Sequence, residues 1–167
     1  MQVHNVHERE YNADLDCVGA LIDSLASSND RLWPTEKWPP MRFDQGLSVG
    51  ARRGHGPIRY FVERYVPGRS VVFRFLAPRG FEGTHGFEVE ERHGRTVLRH
   101  VLDMRTCRLA LLSWPIVFRA LHDALLEGSL DKAAVSIGQA VDKPDRWSPY
   151  VRVLRTLFRA VRRFRVR

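Results

Sequence analysis

IRYFVERYVPGRSVVFRFL, residues 58–76, and GTHGFEVEERHGRTVLRHVLDMRT, residues 83–106, decide the fold of this chain. In each, apolar and polar residues alternate on both sides of a turn pair, Pro67-Gly68 in the first and His93-Gly94 in the second. Successive side chains of a strand point to opposite faces, so this pattern predicts two antiparallel hairpins with one wet and one dry side. In the first hairpin Tyr60, Val62 and Arg64 share a face with Val71, Phe73 and Phe75, while Glu63, Ser70 and Arg74 take the other. In the second, a two-residue turn sets Phe87 opposite His100 and Val89 opposite Leu98, with His85, Phe87 and Val89 on one inner face.

Upstream, Val3 to Tyr11 reads as a strand. Asn12 and Asp14 then supply cap chemistry before Leu15, Val18, Leu21, Ile22 and Leu25, which recur at helical spacing. A short turn around Asn29 to Trp33 follows, and Trp33-Pro34 and Trp38-Pro39-Pro40 force an extended excursion because proline ends helices. Leu47 to Arg53 is expected to begin the run of strands. Downstream, a long helix is expected from Pro115 to about Ala140. Arg119, Asp123, Glu127 and Asp131 form a charge ladder along it, beside a buried stripe of Val117, Leu121, Ala124, Leu125 and Val135. The order implies an α+β fold in which a curved antiparallel sheet wraps around a long C-terminal helix, an arrangement that often leaves a cavity between its layers.

With 167 residues, 44% of them hydrophobic, the chain suits one globular domain burying about two-thirds of its unfolded surface. The expected division is a ligand-binding domain at 1–140, a linker at 141–149 carrying Pro144, Trp147 and Pro149, and a tail at 150–167. Glu8, Arg9 and Glu10 break the first residues, so no signal peptide is read there, and no apolar run approaches the roughly 20 residues of a spanning helix. Cys17 and Cys107 lack metal-ligand spacing and are expected as buried, reduced thiols of a cytoplasmic protein. No Ser-His-Asp or Cys-His order, paired-carboxylate motif or Walker glycine loop stands out, so no catalytic residue, metal site or cofactor is expected.

Gly56-Pro57-Ile58-Arg59-Tyr60, Tyr65-Val66-Pro67-Gly68, Phe73-Arg74-Phe75, His85-Gly86-Phe87-Glu88-Val89 and Thr96-Val97-Leu98-Arg99-His100 together resemble the START-like helix-grip superfamily. Trp114-Pro115 and Leu121-His122-Asp123-Ala124-Leu125 resemble the closing helix of its small bacterial members. The superfamily includes polyketide cyclase and dehydrase-like proteins, lipid-transfer domains and plant pathogenesis-related proteins. The resemblance covers roughly residues 3–138 and implies a deep cavity for an apolar or polycyclic molecule, with no shared catalytic motif to carry over. The expected function is therefore binding, as carrier or sensor, of a hydrophobic small molecule or lipid. The alternatives are a cyclase or dehydrase-like enzyme acting on a polyketide-type substrate, with His85 and His100 as acid and base, and a structural subunit that associates through its C-terminal helix.

Tyr60, Phe73, Phe75 and Phe87 give the inner face an aromatic lining that suits flat apolar ligands, and equally an ordinary core. His85 and His100 on the same face can orient a carbonyl or serve as hydrogen-bonded core residues. His122, at the edge of the helix's apolar face, is a third polar candidate, and Arg64 is placed to meet a ligand carboxylate or to reach water at the rim.

The net charge of +8 is concentrated at one end: residues 150–167 hold 7 arginines and no acid, so the rest is nearly neutral. On a helical wheel Val153, Leu154, Leu157, Phe158, Ala160, Val161 and Phe164 occupy one half, and Arg152, Arg155, Arg159, Arg162, Arg163 and Arg167 the other. An isolated helix this short is marginal in water, so its apolar face needs a partner. An anionic bilayer at the inner face of the membrane comes first, the protein's own body or a second copy in a homodimer next, and nucleic acid last, since phosphate binding does not require so regular an apolar stripe.

Overall fold

The computed structural model describes the backbone of residues 1–144 and 146–164, and side chains as far as residue 158. Its strands are β1 (Gln2–Tyr11), β2 (Arg42–Phe43), β3 (Arg52–His55), β4 (Ile58–Val66), β5 (Ser70–Ala77), β6 (Phe81–Arg92) and β7 (Arg95–Thr106). They form one antiparallel sheet of 7 strands in the order β1-β7-β6-β5-β4-β3-β2. The chain thus meanders from β2 to β7, and β1 pairs along β7 over its whole length.

The β6–β7 hairpin has the expected register, with Phe87 opposite His100 and Val89 opposite Leu98. In the β4–β5 hairpin the expectation fails at one residue. A bulge lies between Val62 and Arg64, and an extra residue turns every later side chain to the other face. Tyr65, opposite Val71, therefore packs against the core and Arg64 is exposed. The strand expected at Leu47 to Arg53 also moves: Gly46 and Gly50 adopt positive φ, which turns the chain there, and β3 begins only at Arg52.

Helix α1 (Leu15–Asp23) lies on β5, β6 and β7 and buries Val18, Leu21 and Ile22. Its end is tied to the β4–β5 turn, because Asp23 Oδ1 accepts hydrogen bonds from the Gly68 amide and the Tyr65 hydroxyl, both at 2.8 Å. Cys17, expected to be buried, is exposed on the outer side of this helix, and Cys107 is half-buried.

The long helix starts earlier than Pro115. A single turn, α2 (Ala110–Ser113), runs through a wider π turn at Trp114–Phe118 into α3 (Arg119–Ser136). Its buried face is Ala124, Leu125, Leu126, Ser129, Leu130, Ala133 and Ala134, whereas Val135, expected in the stripe, is exposed. The charge ladder explains the difference. Asp123, Glu127 and Asp131 bind His7 and Arg9 of β1, and that contact fixes the helix's rotation. Leu125, Leu126, Leu130 and Ala133 then join Tyr60, Val62, Phe73, Phe87 and Leu98 of the sheet in the main core.

Helix α4 (Pro149–Phe164) packs on α3. Val151, Leu154 and Arg155 are buried against the body, while Arg152, Val153, Leu157 and Phe158 are exposed. Arg155 corrects the wheel, which put it on the polar face. Its guanidinium carbon lies 4.1 Å from the ring centre of Trp38 and 3.8 Å from that of Trp147, and it donates to the Lys37 carbonyl. The side chains of Arg159, Arg162 and Arg163, and all of residues 165–167, lie outside the described residues. No described helix is long and apolar enough to cross a membrane.

Candidate functional site

Register places the inward side chains of neighbouring strands in rows. Tyr60 of β4 pairs with Phe75 of β5, Phe73 with His85 of β6, and Phe87 with His100 of β7. His85 is the centre of the row. Its ring lies 4.8 Å from Tyr60, 5.1 Å from Phe73, 4.7 Å from Phe75 and 5.4 Å from His100. Its Nδ1 and the Nε2 of His100 share a hydrogen bond of 3.3 Å. Both imidazoles are buried, as are Tyr60, Phe73 and Phe87.

The row continues at both ends. Toward β3, the Tyr60 hydroxyl is 3.0 Å from His55 Nδ1, and the His55 ring lies 4.6 Å from Trp33. Toward β1, the His100 ring is 5.2 Å from His122 of α3, which is 5.7 Å from His7. A line of imidazoles, joined through Tyr60, therefore crosses the interior from β3 to the edge strand β1.

Burial keeps the inner part of this line neutral. It pushes His85 and His100 well below the ordinary 6.5, and neighbouring imidazoles add to the effect. His55 falls to about 3 by burial. His122 falls too, although Asp123 pulls the other way. His7 behaves oppositely: burial lowers it, but hydrogen bonds to Asp123 and Glu127 outweigh that and raise it.

Three ring nitrogens of the line, His85 Nε2, His100 Nδ1 and His122 Nε2, are buried without a hydrogen-bond partner among the described residues. Buried polar atoms are nearly always paired, and leaving one unpaired costs about 1–3 kcal/mol. Three such atoms along this line, two on the sheet and one on α3, are groups that a polar atom held among apolar walls would satisfy.

The site residues singled out in the sequence divide as follows. Tyr60, Phe73, His85, Phe87 and His100 converge, Phe75 joins them half-buried, and His122 meets them from α3. Arg64 does not. Sequence reasoning missed His55, Trp33, His7, Asp123 and Glu127. His7 had a signal in the alternation of Val3, Asn5, His7, Arg9 and Tyr11 along β1.

The converging side chains are in mutual contact, and the open cavity expected among them is closed. A depression of about 410 Å³ lies beside them, bounded by Ala26, Ser28, Pro40, Met41, Phe43 and Arg53. Phe43 separates it from the aromatic row, stacking 5.6 Å from Phe73 and meeting Tyr60 edge-on at 5.9 Å. Another, of about 220 Å³, lies between the end of β1 and residues 139–143.

No protein-family model and no curated protein matches the sequence. Solved structures do match in shape. CalU16 from Micromonospora echinospora is 14% identical with a TM-score of 0.56, covering 94% of this chain and 84% of that one. A Thermobifida fusca protein is 16% identical with a TM-score of 0.59, covering 81% and 93%. The di-domain ARO/CYC StfQ from the steffimycin biosynthetic pathway is 12% identical with a TM-score of 0.59, and this chain, over 81% of its own length, spans 50% of it. Shared topology at such low identity is a statement about architecture: the chain has a helix-grip fold, a curved antiparallel sheet against a long helix.

Proposed function

We propose that the protein binds an apolar, aromatic small molecule between α3 and the sheet, with a carbonyl or hydroxyl of the ligand meeting the imidazoles of His85, His100 and His122. The observation that carries this reading is the set of three buried ring nitrogens, two on the sheet and one on α3, without a partner among the described residues. The likeness to StfQ, a protein of a biosynthetic pathway, supports a polyketide-type molecule as the class. Access runs through the depression beside Phe43, since displacing Pro40–Phe43 joins that space to the row. The segment between α1 and β3 suits such displacement, because β2, with two residues, is its only strand.

Binding is favoured over cyclase or dehydrase chemistry by the state of the imidazoles. Held neutral far below pH 7, His85 and His100 accept or donate hydrogen bonds well but are poor proton reservoirs. The test is an NMR titration with anilinonaphthalene sulfonate and with a hydroxylated anthraquinone, on the wild type and on Phe43→Ala. Saturable shifts of the His85 and His100 ring signals, tightened in Phe43→Ala, are expected. No saturable binding by either protein, or shifts confined to the surface, overturns the reading.

A second reading concerns place. Large apolar side chains are exposed on the segment before α3, at Leu109, Leu112 and Ile116, and on α4, at Val153, Leu157 and Phe158. The two segments adjoin, because the Tyr150 hydroxyl donates to the Ile116 carbonyl and Phe118 meets Phe158. With 7 arginines in residues 150–167, this surface suits peripheral docking on an anionic bilayer.

A further inference from the structure

At the β1 end of the imidazole line the chemistry changes from aromatic to ligating. His7 Nε2 lies 3.1 Å from Asp123 Oδ1, and His122 Nδ1 lies 3.5 Å from the same oxygen. One donor atom from each of His7, His122 and Asp123 falls within 4.8 Å of the others. Two ligands bound at 2.0–2.1 Å around a tetrahedral ion stand about 3.3 Å apart, a separation that these two distances bracket. We infer that His7, His122 and Asp123 form a binding site for a first-row divalent metal ion of the zinc class, bridging β1 and α3.

The surroundings fit this chemistry. The other nitrogen of His7, Nδ1, is 2.7 Å from Glu127 Oε1. A carboxylate behind a ligating imidazole fixes the tautomer, leaving Nε2 with its lone pair free for the metal, and raises its basicity. Asn5 Nδ2 donates to Asp123 Oδ1 at 3.2 Å and orients that carboxylate. The Arg119 guanidinium, 3.8 Å from Asp123 Oδ2, engages the other oxygen, and Arg9 holds Glu127 at 3.3 Å. The His7 side chain is 12% exposed and that of Asp123 36%, so water can reach the group and fill a fourth position. Two imidazoles and a carboxylate select zinc, cobalt or nickel over magnesium or calcium, which prefer all-oxygen sites.

The group also works as a proton-mediated ion pair, and the experiment separates the two. The full chain, stripped with chelator, is titrated with zinc chloride by calorimetry and with cobalt chloride by visible absorption. One equivalent of zinc is expected to bind saturably, and cobalt to give the intense bands of a tetrahedral site. His7→Gln, His122→Gln and Asp123→Asn should each abolish binding, and Glu127→Gln should weaken it about tenfold or more. His4→Gln and Cys107→Ser should leave it unchanged. If a ligand variant fails to fold, Glu127→Gln and the cobalt spectrum still decide. Absence of saturable zinc binding, or binding that survives His122→Gln or is lost in Cys107→Ser, overturns the inference.

Discussion

His85 and His100 lie where a charge is least tolerated, and the sign of the consequence follows from proton counting. Their folded-state affinity for protons is far below the 6.5 of the unfolded chain, so the unfolded state binds more protons at mildly acid pH. Stability from this pair is complete above about pH 6.5. Below it, each histidine costs about 1.4 kcal/mol per pH unit, about 3 for both. Denaturant unfolding at pH 7, 6 and 5 should show that decline, and His85→Gln with His100→Gln should remove this pair's share of it, leaving the part that His55 and His122 contribute in the same direction. An unchanged slope in the double variant would assign the acid sensitivity elsewhere. These two residues were legible because the His93-Gly94 turn fixes their register over a short hairpin. His7 was not, because β1 pairs with β7 across most of the chain and no local turn sets its partner. Arg64 was misplaced because nothing in Val62-Glu63-Arg64 announces a bulge.

At the scale of elements, long-range contacts decided what periodicity could not. The helical pattern of residues 119–136 gave the element, but pairing of its acids with His7 and Arg9 set which face is buried. Similarly, Pro67-Gly68 marked the β4–β5 turn, but not that α1 rests on it. A methyl group at Gly19 would collide with the Gly68 carbonyl, so Gly19→Ala should destabilise by about 2–3 kcal/mol, read as a lower denaturant midpoint. Helix α4 shows the same limit, because its wheel is regular and yet Arg155 leaves the polar side to sit between Trp38 and Trp147. Cation–π contacts desolvated in this way are worth about 2 kcal/mol. Trp38→Ala should therefore raise amide exchange across residues 149–158 while β6 and β7 keep their protection. Equal loss of protection in the sheet would mean that α4 and the body unfold together.

For the whole molecule, α4 is held on the body at one stripe, so a bilayer would meet a composite surface and not a free tail. The attractive charge comes from residues 150–167, whereas the apolar side chains able to enter the interface come both from that helix and from Leu109, Leu112 and Ile116. These contributions separate in full-length variants that spare Arg155, whose loss would disturb the helix's own seat. Arginine near anionic lipid contributes about 1 kcal/mol per residue. Changing Arg152, Arg159, Arg162 and Arg163 to Gln should thus weaken sedimentation with phosphatidylserine vesicles by two to three orders of magnitude in affinity at low salt. The remaining binding should respond less to added salt, since attraction is screened over about 10 Å at 0.1 M. Changing Leu109, Leu112 and Ile116 to Ser removes apolar area without altering charge, and should weaken binding at every salt concentration by a similar factor. If the apolar triple variant sediments like the wild type, the docking surface is α4 alone. If wild-type protein stays in the supernatant at low salt, the exposed leucines and arginines serve a contact between proteins.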